Sequence, residues 1–330
     1  MQRKFFSDDI YMPPEGEFLF NHSRSGIMIA LEASDLPKDA GVGVMVYNCH
    51  TVMNAVEQAG CKPVFIDVTD ELKLDLEDLA RKVNELSAIV VTHLFGVVND
   101  VKSIKEAYPN LIIIEDCAHA YGIEELHGAF ATFSIGQGKL PSIGDGGILK
   151  VLNDKYRDKV VSLYEALSEY TKLQSAKLFV KLWVKSVMQS RLVYGWLTLP
   201  MKKHRGAPLG REVNSPKKMY KGISSILVKK KEDVPKMIIL RKNNARKLMS
   251  QLPEGVSRAL VGQNAFMLVL YCDNLGKVRQ YYHRQGVEAE THFVNSIRWA
   301  EEFGYNLGQC PNAEKLVNHL LMVPTYFDKQ

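Results

Sequence analysis

Leu111-Ile112-Ile113-Ile114-Glu115-Asp116-Cys117-Ala118-His119-Ala120 is an apolar run closed by two acids, with a histidine three residues beyond the second acid. Apolar at every early position and short, it reads as a strand buried on both faces. Residues 88–95, Ala88-Ile89-Val90-Val91-Thr92-His93-Leu94-Phe95, are a second run of the same kind, stopping at Gly96. Between the two, residues 101–108 carry helical spacing. Further upstream, residues 42–47 and 63–67 read as strands. Residues 26–33, 51–59 and 76–84 read as helices, with Asp75 placed to cap the last. Continuous apolar strands alternating with helices mean an α/β chain, with a mostly parallel central sheet and helices on both faces. Ligands of such sheets sit at the carboxyl ends of the strands. Asn48, His93 and Asp116 all fall at such ends.

Downstream comes Phe133-Ser134-Ile135-Gly136-Gln137-Gly138-Lys139-Leu140-Pro141-Ser142-Ile143-Gly144-Asp145-Gly146-Gly147. It places one lysine in a glycine-rich loop between two apolar runs. A lysine amine forms a Schiff base when its charge is suppressed and its position fixed. An acid at a strand end with a lysine in a nearby loop matches the needs of pyridoxal phosphate: the acid keeps the pyridine nitrogen protonated and the lysine carries the cofactor. Gly41-Val42-Gly43 precedes its strand and lacks a third glycine, so it is not a dinucleotide fingerprint.

The 330 residues are enough for two domains. The first residues lack the apolar stretch of a signal peptide, and no apolar run reaches the ~18 residues of a membrane span. Five scattered cysteines, with no CxxC pair, suggest neither a disulfide framework nor a metal site, and fit the cytoplasm. The net charge of +5 is unevenly placed: from Lys202 to Lys247 there are 15 Lys and Arg against 3 Asp and Glu. From Tyr170 to Arg211 there is no acidic residue. Such a field draws phosphates, nucleotides or an anionic surface. A solvated basic face is the plain alternative.

Residues 155–200 read as helices, with Lys177, Lys181 and Lys185 every four residues. A long helix is expected after Met237. A strand at 265–270, a helix at 275–285 and a strand at 286–293 then suggest a small C-terminal α+β domain. The expected division is a large cofactor-binding domain at 1–235, with a basic helical segment at about 155–235, and a small domain at 236–330.

Five motifs in order carry a resemblance to the DegT/StrS-type sugar aminotransferases, within the fold-type I pyridoxal-phosphate enzymes. Residues 60–67, GCKPVFID, resemble the family's GAKPVFVD, and 92–96, THLFG, resemble VHLYG. Residues 115–122, EDCAHAYG, resemble EDAAQAHG. Phe133-Ser134, Lys139 and Gly144-Asp145-Gly146-Gly147 keep the spacing of FSF…K…GEGG, and Gly286-Val287 with His292-Phe293 resemble GI…HY. The resemblance implies that Lys139 carries the cofactor and shuttles a proton, and that Asp116 pairs with the pyridinium nitrogen. It places His119 beside the ring, where the family often has glutamine. Ser134, Ser25 and Gly26 would bind the phosphate. The aromatic that covers the ring falls at Cys49 or His50. A later asparagine that reaches the partner's phosphate is offset at Asn214, leaving Lys217 or Lys218 for that task. His292 would be a substrate-side or interface residue.

The activity implied is amino transfer, from glutamate, to a nucleotide-linked keto-sugar, in a homodimer, in surface polysaccharide or amino-sugar synthesis. One rival is another reaction of the same cofactor, such as sugar dehydration, against which Lys139 argues. A second is a cofactor-binding regulator or scaffold without transaminase activity. Membrane contact by the acid-free helical stretch is a weaker expectation than its packing on the protein or on a dimer partner.

Overall fold

The computed structural model describes residues 14–188 and 214–326. The helical reading beyond Met188 and the first part of the basic stretch, from Lys202, lie outside the described residues, as do the first residues read for a signal peptide.

Seven strands form the main sheet: β1 (Glu17–Phe20), β2 (Gly41–Met45), β3 (Lys62–Ile66), β4 (Ala88–Thr92), β5 (Ile112–Asp116), β6 (Phe130–Ser134) and β7 (Gly147–Val151). Their order is β1-β7-β6-β5-β4-β2-β3. The pairs from β3 through β6 are parallel, whereas β7 runs antiparallel to both β6 and β1. The helices between them are α1 (Ser23–Ala33), α2 (His50–Gln58), α3 (Leu76–Lys82) and α4 (Val101–Ala107). Asp75 caps α3 as its position suggested, accepting from the Glu77 and Asp78 amides. Every residue of β4 is buried, so the strand has no polar face.

After β7 come α5 (Arg157–Glu165), α6 (Lys172–Met188) and α7 (Lys221–Met249). α7 starts sixteen residues before the expected Met237 and runs unbroken across residue 235, with Pro235 inside it. The charged run at 229–233 and the proline mask the helical period there. An exposed Pro removes one backbone bond where water can replace it. The second sheet is antiparallel, β10-β9-β8, from β8 (Val256–Val261), β9 (Met267–Cys272) and β10 (Leu320–Pro324). Three short helices stand between β9 and β10: α8 (Leu275–Arg284), α9 (Ser296–Glu301) and α10 (Pro311–Leu316).

The strand expected at 286–293 does not form. That segment makes one bridge, Glu290 to Met322, and then turns at Phe293, whose φ is +56°. The Tyr47 hydroxyl donates to the His292 carbonyl at 2.8 Å and holds the turn against the main sheet. Residues of both sheets share one apolar core, including Tyr47 and Ile114 from the first half and Phe266, Val269 and Trp299 from the second.

Candidate active site

Strand order reverses beside β2: β3 lies on one side and β4 on the other. Ligands of open α/β sheets bind at such a switch point, past the carboxyl ends of the strands. Asn48 follows β2, Thr92 ends β4 and Asp116 ends β5. Asn48 Nδ2 donates to Thr92 Oγ1 at 2.8 Å, and Thr92 Oγ1 donates to Asp116 Oδ2 at 3.3 Å. The other Asp116 oxygen accepts the Ala118 amide at 3.0 Å. This chain fixes the carboxylate at the floor of a cavity of about 290 Å³.

Lys139 enters the same cavity from the β6–β7 loop. Its amide donates to the Gly136 carbonyl at 3.1 Å, closing a tight turn with Gly138 at φ +77°. Only a residue without Cβ adopts that backbone cheaply. Burial pushes the lysine amine below its ordinary value, while the nearby Cys49 and Asp116 charges act to raise it. Asp116 shows the reverse: burial pushes its carboxyl up, against the Ala118 amide and the Lys139 charge. A desolvated carboxylate with one amide and one hydroxyl partner favours a cation beside it.

His119 is clamped among Phe95, Phe266 and Phe293, with ring centroids 5.2, 4.6 and 5.7 Å away and near-parallel planes. Its Nδ1 accepts the Phe95 amide at 3.3 Å, which leaves the proton on Nε2. Burial and the Lys139 charge hold its pKa well below the ordinary value, so the ring is neutral. His292 is likewise depressed, to about 4, by burial and then by Lys139.

The first turn of α1 closes another side through His22, Ser23 and Arg24. Its N-cap residue is His22, whose side chain makes no cap bond; instead Nδ1 pairs with Asp145 at 2.9 Å. Burial acts to raise the Asp145 carboxyl, but the His22 contact and the Gly146 amide outweigh it and hold it below the usual range. Ser23 Oγ is buried with no partner among the described residues. An open helix N-terminus with an unpaired hydroxyl is a ready anion site. Gly147 makes this approach possible, since a Cβ there would lie 2.3 Å from the Ser23 nitrogen.

Lys139, Asp116, His119 and Ser134 therefore line one cavity. Ser25 and Gly26 lie behind it. Ser25 Oγ donates to Asn21 at 2.8 Å and accepts from Asn214 at 3.1 Å, while Gly26 packs against Thr132 and Leu149. The helix starts three residues earlier than expected, at Ser23, because its apolar period begins only at Ile27 and hides the polar first turn. Cys49, rather than His50, faces the cavity; the His50 ring packs against Trp299 at 4.8 Å. Burial opposes ionisation of Cys49, but bonds from His50 and Thr51 hold its thiol below the ordinary value.

Lys217 reaches Gln174 at 3.2 Å and Lys218 lies over Tyr164, so neither lines the cavity within this chain. Asn214 accepts from Arg24 Nε at 3.3 Å, bracing α1. His93 is structural: it accepts the Asn99 amide on Nδ1 and pairs through Nε2 with Glu115 at 3.0 Å. Thr92 and Phe293 lie inside the resembling motifs without a role of their own there, and Ser23 precedes the apolar period of α1. Their roles arise where separate strand ends and loops meet.

The fold is that of the fold-type I aminotransferases. The chain belongs to the DegT/DnrJ/EryC1/StrS aminotransferase family, whose model matches residues 20–329. It is similar to GDP-perosamine synthase of Escherichia coli O157:H7, with 34% identity over 31% of this chain and 31% of that protein. It is also similar to dTDP-3-amino-3,4,6-trideoxy-alpha-D-glucose transaminase of Micromonospora megalomicea, with 32% identity over 41% of this chain and 38% of that one. These matches span about a third of the relatives' lengths. Among solved structures, a DegT DnrJ EryC1 StrS aminotransferase from Brucella abortus superposes with a TM-score of 0.70 at 17% identity, over 95% of this chain and 82% of that one. Sugar aminotransferase CalS13 from Micromonospora echinospora gives 0.69 at 17% identity, over 95% and 84%. At these identities the likeness is one of fold.

Proposed function

We propose that the chain is a pyridoxal-phosphate-dependent aminotransferase that moves an amino group, from glutamate, onto a nucleotide-linked keto-sugar. The observation that carries this reading is the meeting of Lys139 and Asp116 in one buried cavity at the switch point of the sheet. The residues fit the cofactor. The partly paired Asp116 carboxylate suits a protonated pyridine nitrogen. The unpartnered Ser23 hydroxyl, the N-terminal end of α1 and Arg24 suit its phosphate, with Ser134 on β6. His119 Nε2–H is a donor for the ring oxygen. Ser25 and Gly26 act one layer back, by holding α1 in place.

When bound, the cofactor supplies an electron sink for the carbon that loses or gains a proton. The protein supplies the rest. Lys139 would hold the cofactor, and its free amine would take a proton from the donor's α-carbon and return one to the sugar carbon. Its suppressed charge brings it nearer the working pH of a general base. The relay Asn48–Thr92–Asp116 keeps the carboxylate aimed, and the clamped, neutral His119 adds no competing positive charge. The basic residues of α7 suit a diphosphate-bearing substrate. A role in surface polysaccharide or amino-sugar synthesis is in keeping with the sugar-directed names of the relatives, and the scattered cysteines suit the cytoplasm. Among the described residues, no helix is long and apolar enough to cross a membrane.

The test is spectroscopic. The purified protein with added pyridoxal phosphate should develop a visible band, and borohydride should abolish it and add the cofactor's mass at Lys139. Glutamate should bleach the band, and a keto-sugar nucleotide should restore it. A protein that takes up no cofactor sinks the reading. Cys49 at the position expected for a ring-covering aromatic favours one second reading, a cofactor-binding protein without turnover. That reading gains if the band forms and no amino donor shifts it.

A further inference from the structure

α6 has two apolar faces, and the described residues cover only one. Leu178 and Leu182 pack onto the cluster that includes Phe133, Ile135 and Ile148. On the far side, Leu173, Phe179, Val180, Trp183 and Val184 stand exposed, Leu173 at 66% and Trp183 at 61%. Their spacings of four and seven put them on one stripe of a helix with 3.6 residues per turn. Beside this stripe Lys177, Lys181 and Lys185 recur every four residues. No acid occurs along the chain from Tyr170 to Arg211, although Lys181 lies within electrostatic reach of Asp145 in the Lys139 loop. Isolated apolar side chains on a surface are ordinary, whereas a contiguous stripe that includes Trp and Phe marks a contact site.

We propose that α6 docks the protein on an anionic lipid surface, lying in the plane of the interface with its exposed stripe in the acyl boundary and its lysines at the headgroups. An apolar stripe with Trp and Phe, flanked by lysine, is the composition of an interfacial helix. The lysine row favours an anionic surface over a second copy of this chain as the occupant. A second copy would add the same row of cations to the contact, and α6 carries no acid to answer it. An anionic bilayer satisfies both the stripe and the row. The contact would bear on the site, because the Leu182 side chain fills the space beside Gly144 in the Lys139 loop.

The test is co-sedimentation of the full chain with phosphatidylcholine–phosphatidylglycerol vesicles and with phosphatidylcholine alone, at low and high salt. The expected result is binding to the mixed vesicles at low salt, weakened by salt and weaker still on the neutral ones. Trp183→Asp should cut the affinity at least tenfold. Replacing Lys177, Lys181 and Lys185 together by Gln should cut it roughly 100-fold, at about a factor of five per lysine. Lys177, Lys181 and Trp183 are exposed and Lys185 is half-buried, and circular dichroism melts check that the variants stay folded. Three results would overturn the proposal: no binding at low salt, binding that both variants retain, or a concentration-dependent dimer that Trp183→Asp dissociates while vesicles bind nothing. The readout is lipid binding, so a negative result leaves the proposed activity standing.

Discussion

Asp116 concentrates the residue-scale chemistry. Its carboxylate is buried, raised in pKa and aimed by a hydroxyl and an amide. Asp116→Asn keeps the shape and removes the charge. A carboxylate beside a base shifts its pKa by about 1–3 units, equivalent to roughly 1.4–4 kcal/mol. The variant should therefore lose roughly 10- to 1000-fold in turnover, with the borohydride-trapped adduct at Lys139 still formed. Unchanged turnover would remove Asp116 from the mechanism. His292 supplies a pH dependence. Its imidazole stays unprotonated in the folded chain down to about pH 4, while the unfolded chain takes up that proton near 6.5. The unfolded state thus holds more protons between these values. Stability is fully present above about 6.5 and falls with pH toward 4, by up to about 1.4 kcal/mol per pH unit. His119 adds in the same direction, and Asp116, raised rather than lowered, contributes with the opposite sign. Melts of His292→Gln should show a flatter acid limb than the parent, and identical limbs would refute the assignment.

At the scale of elements, the α1–β7 junction sets the site. Gly147 lets the β7 backbone touch the start of α1, so Gly147→Ala must push the helix away. Overpacking of this kind costs about 1–3 kcal/mol. The expected outcome is a lower melting temperature together with weaker cofactor binding, read by titrating the visible band; a variant that binds normally would show that α1 does not hold the phosphate. The parallel strands β2 to β5 were legible to within a few residues, because burial makes most of their positions apolar. Three other elements were not. The α1 start is polar, since its amides face the cavity. α7 carries a charged run and a proline in its exposed part. Residues 286–293 alternate like a strand, but Tyr47 captures their end and bends it into the site.

At the scale of the whole molecule, the cavity depends on segments far apart in the chain. Phe293, and Phe266 through its stacking on His119, come from the C-terminal third and close a site whose chemistry lies in the first half. Asn214 supports α1 across 189 residues. The homodimer implied by the family resemblance is tested by light scattering, where twice the chain mass is expected. A homodimer that persists in Trp183→Asp would separate that interface from the α6 stripe, and a monomer at working concentration would refute the dimer.

The sequence by itself determined the alternating α/β architecture, the family, and the pairing of Lys139 with Asp116. The architecture rests on local periodicity, the pairing on spacing along one short stretch, and the family on the resemblance of five motifs from residue 60 to residue 293. Only the tertiary structure decided that Ser23 rather than Ser25 meets the cavity, and that Cys49 rather than His50 faces it. It alone showed that the described residues leave one apolar face of α6 exposed. Each of these depends on which way a side chain points once distant elements pack, and a one-residue turn on a helix rotates a side chain by about 100°.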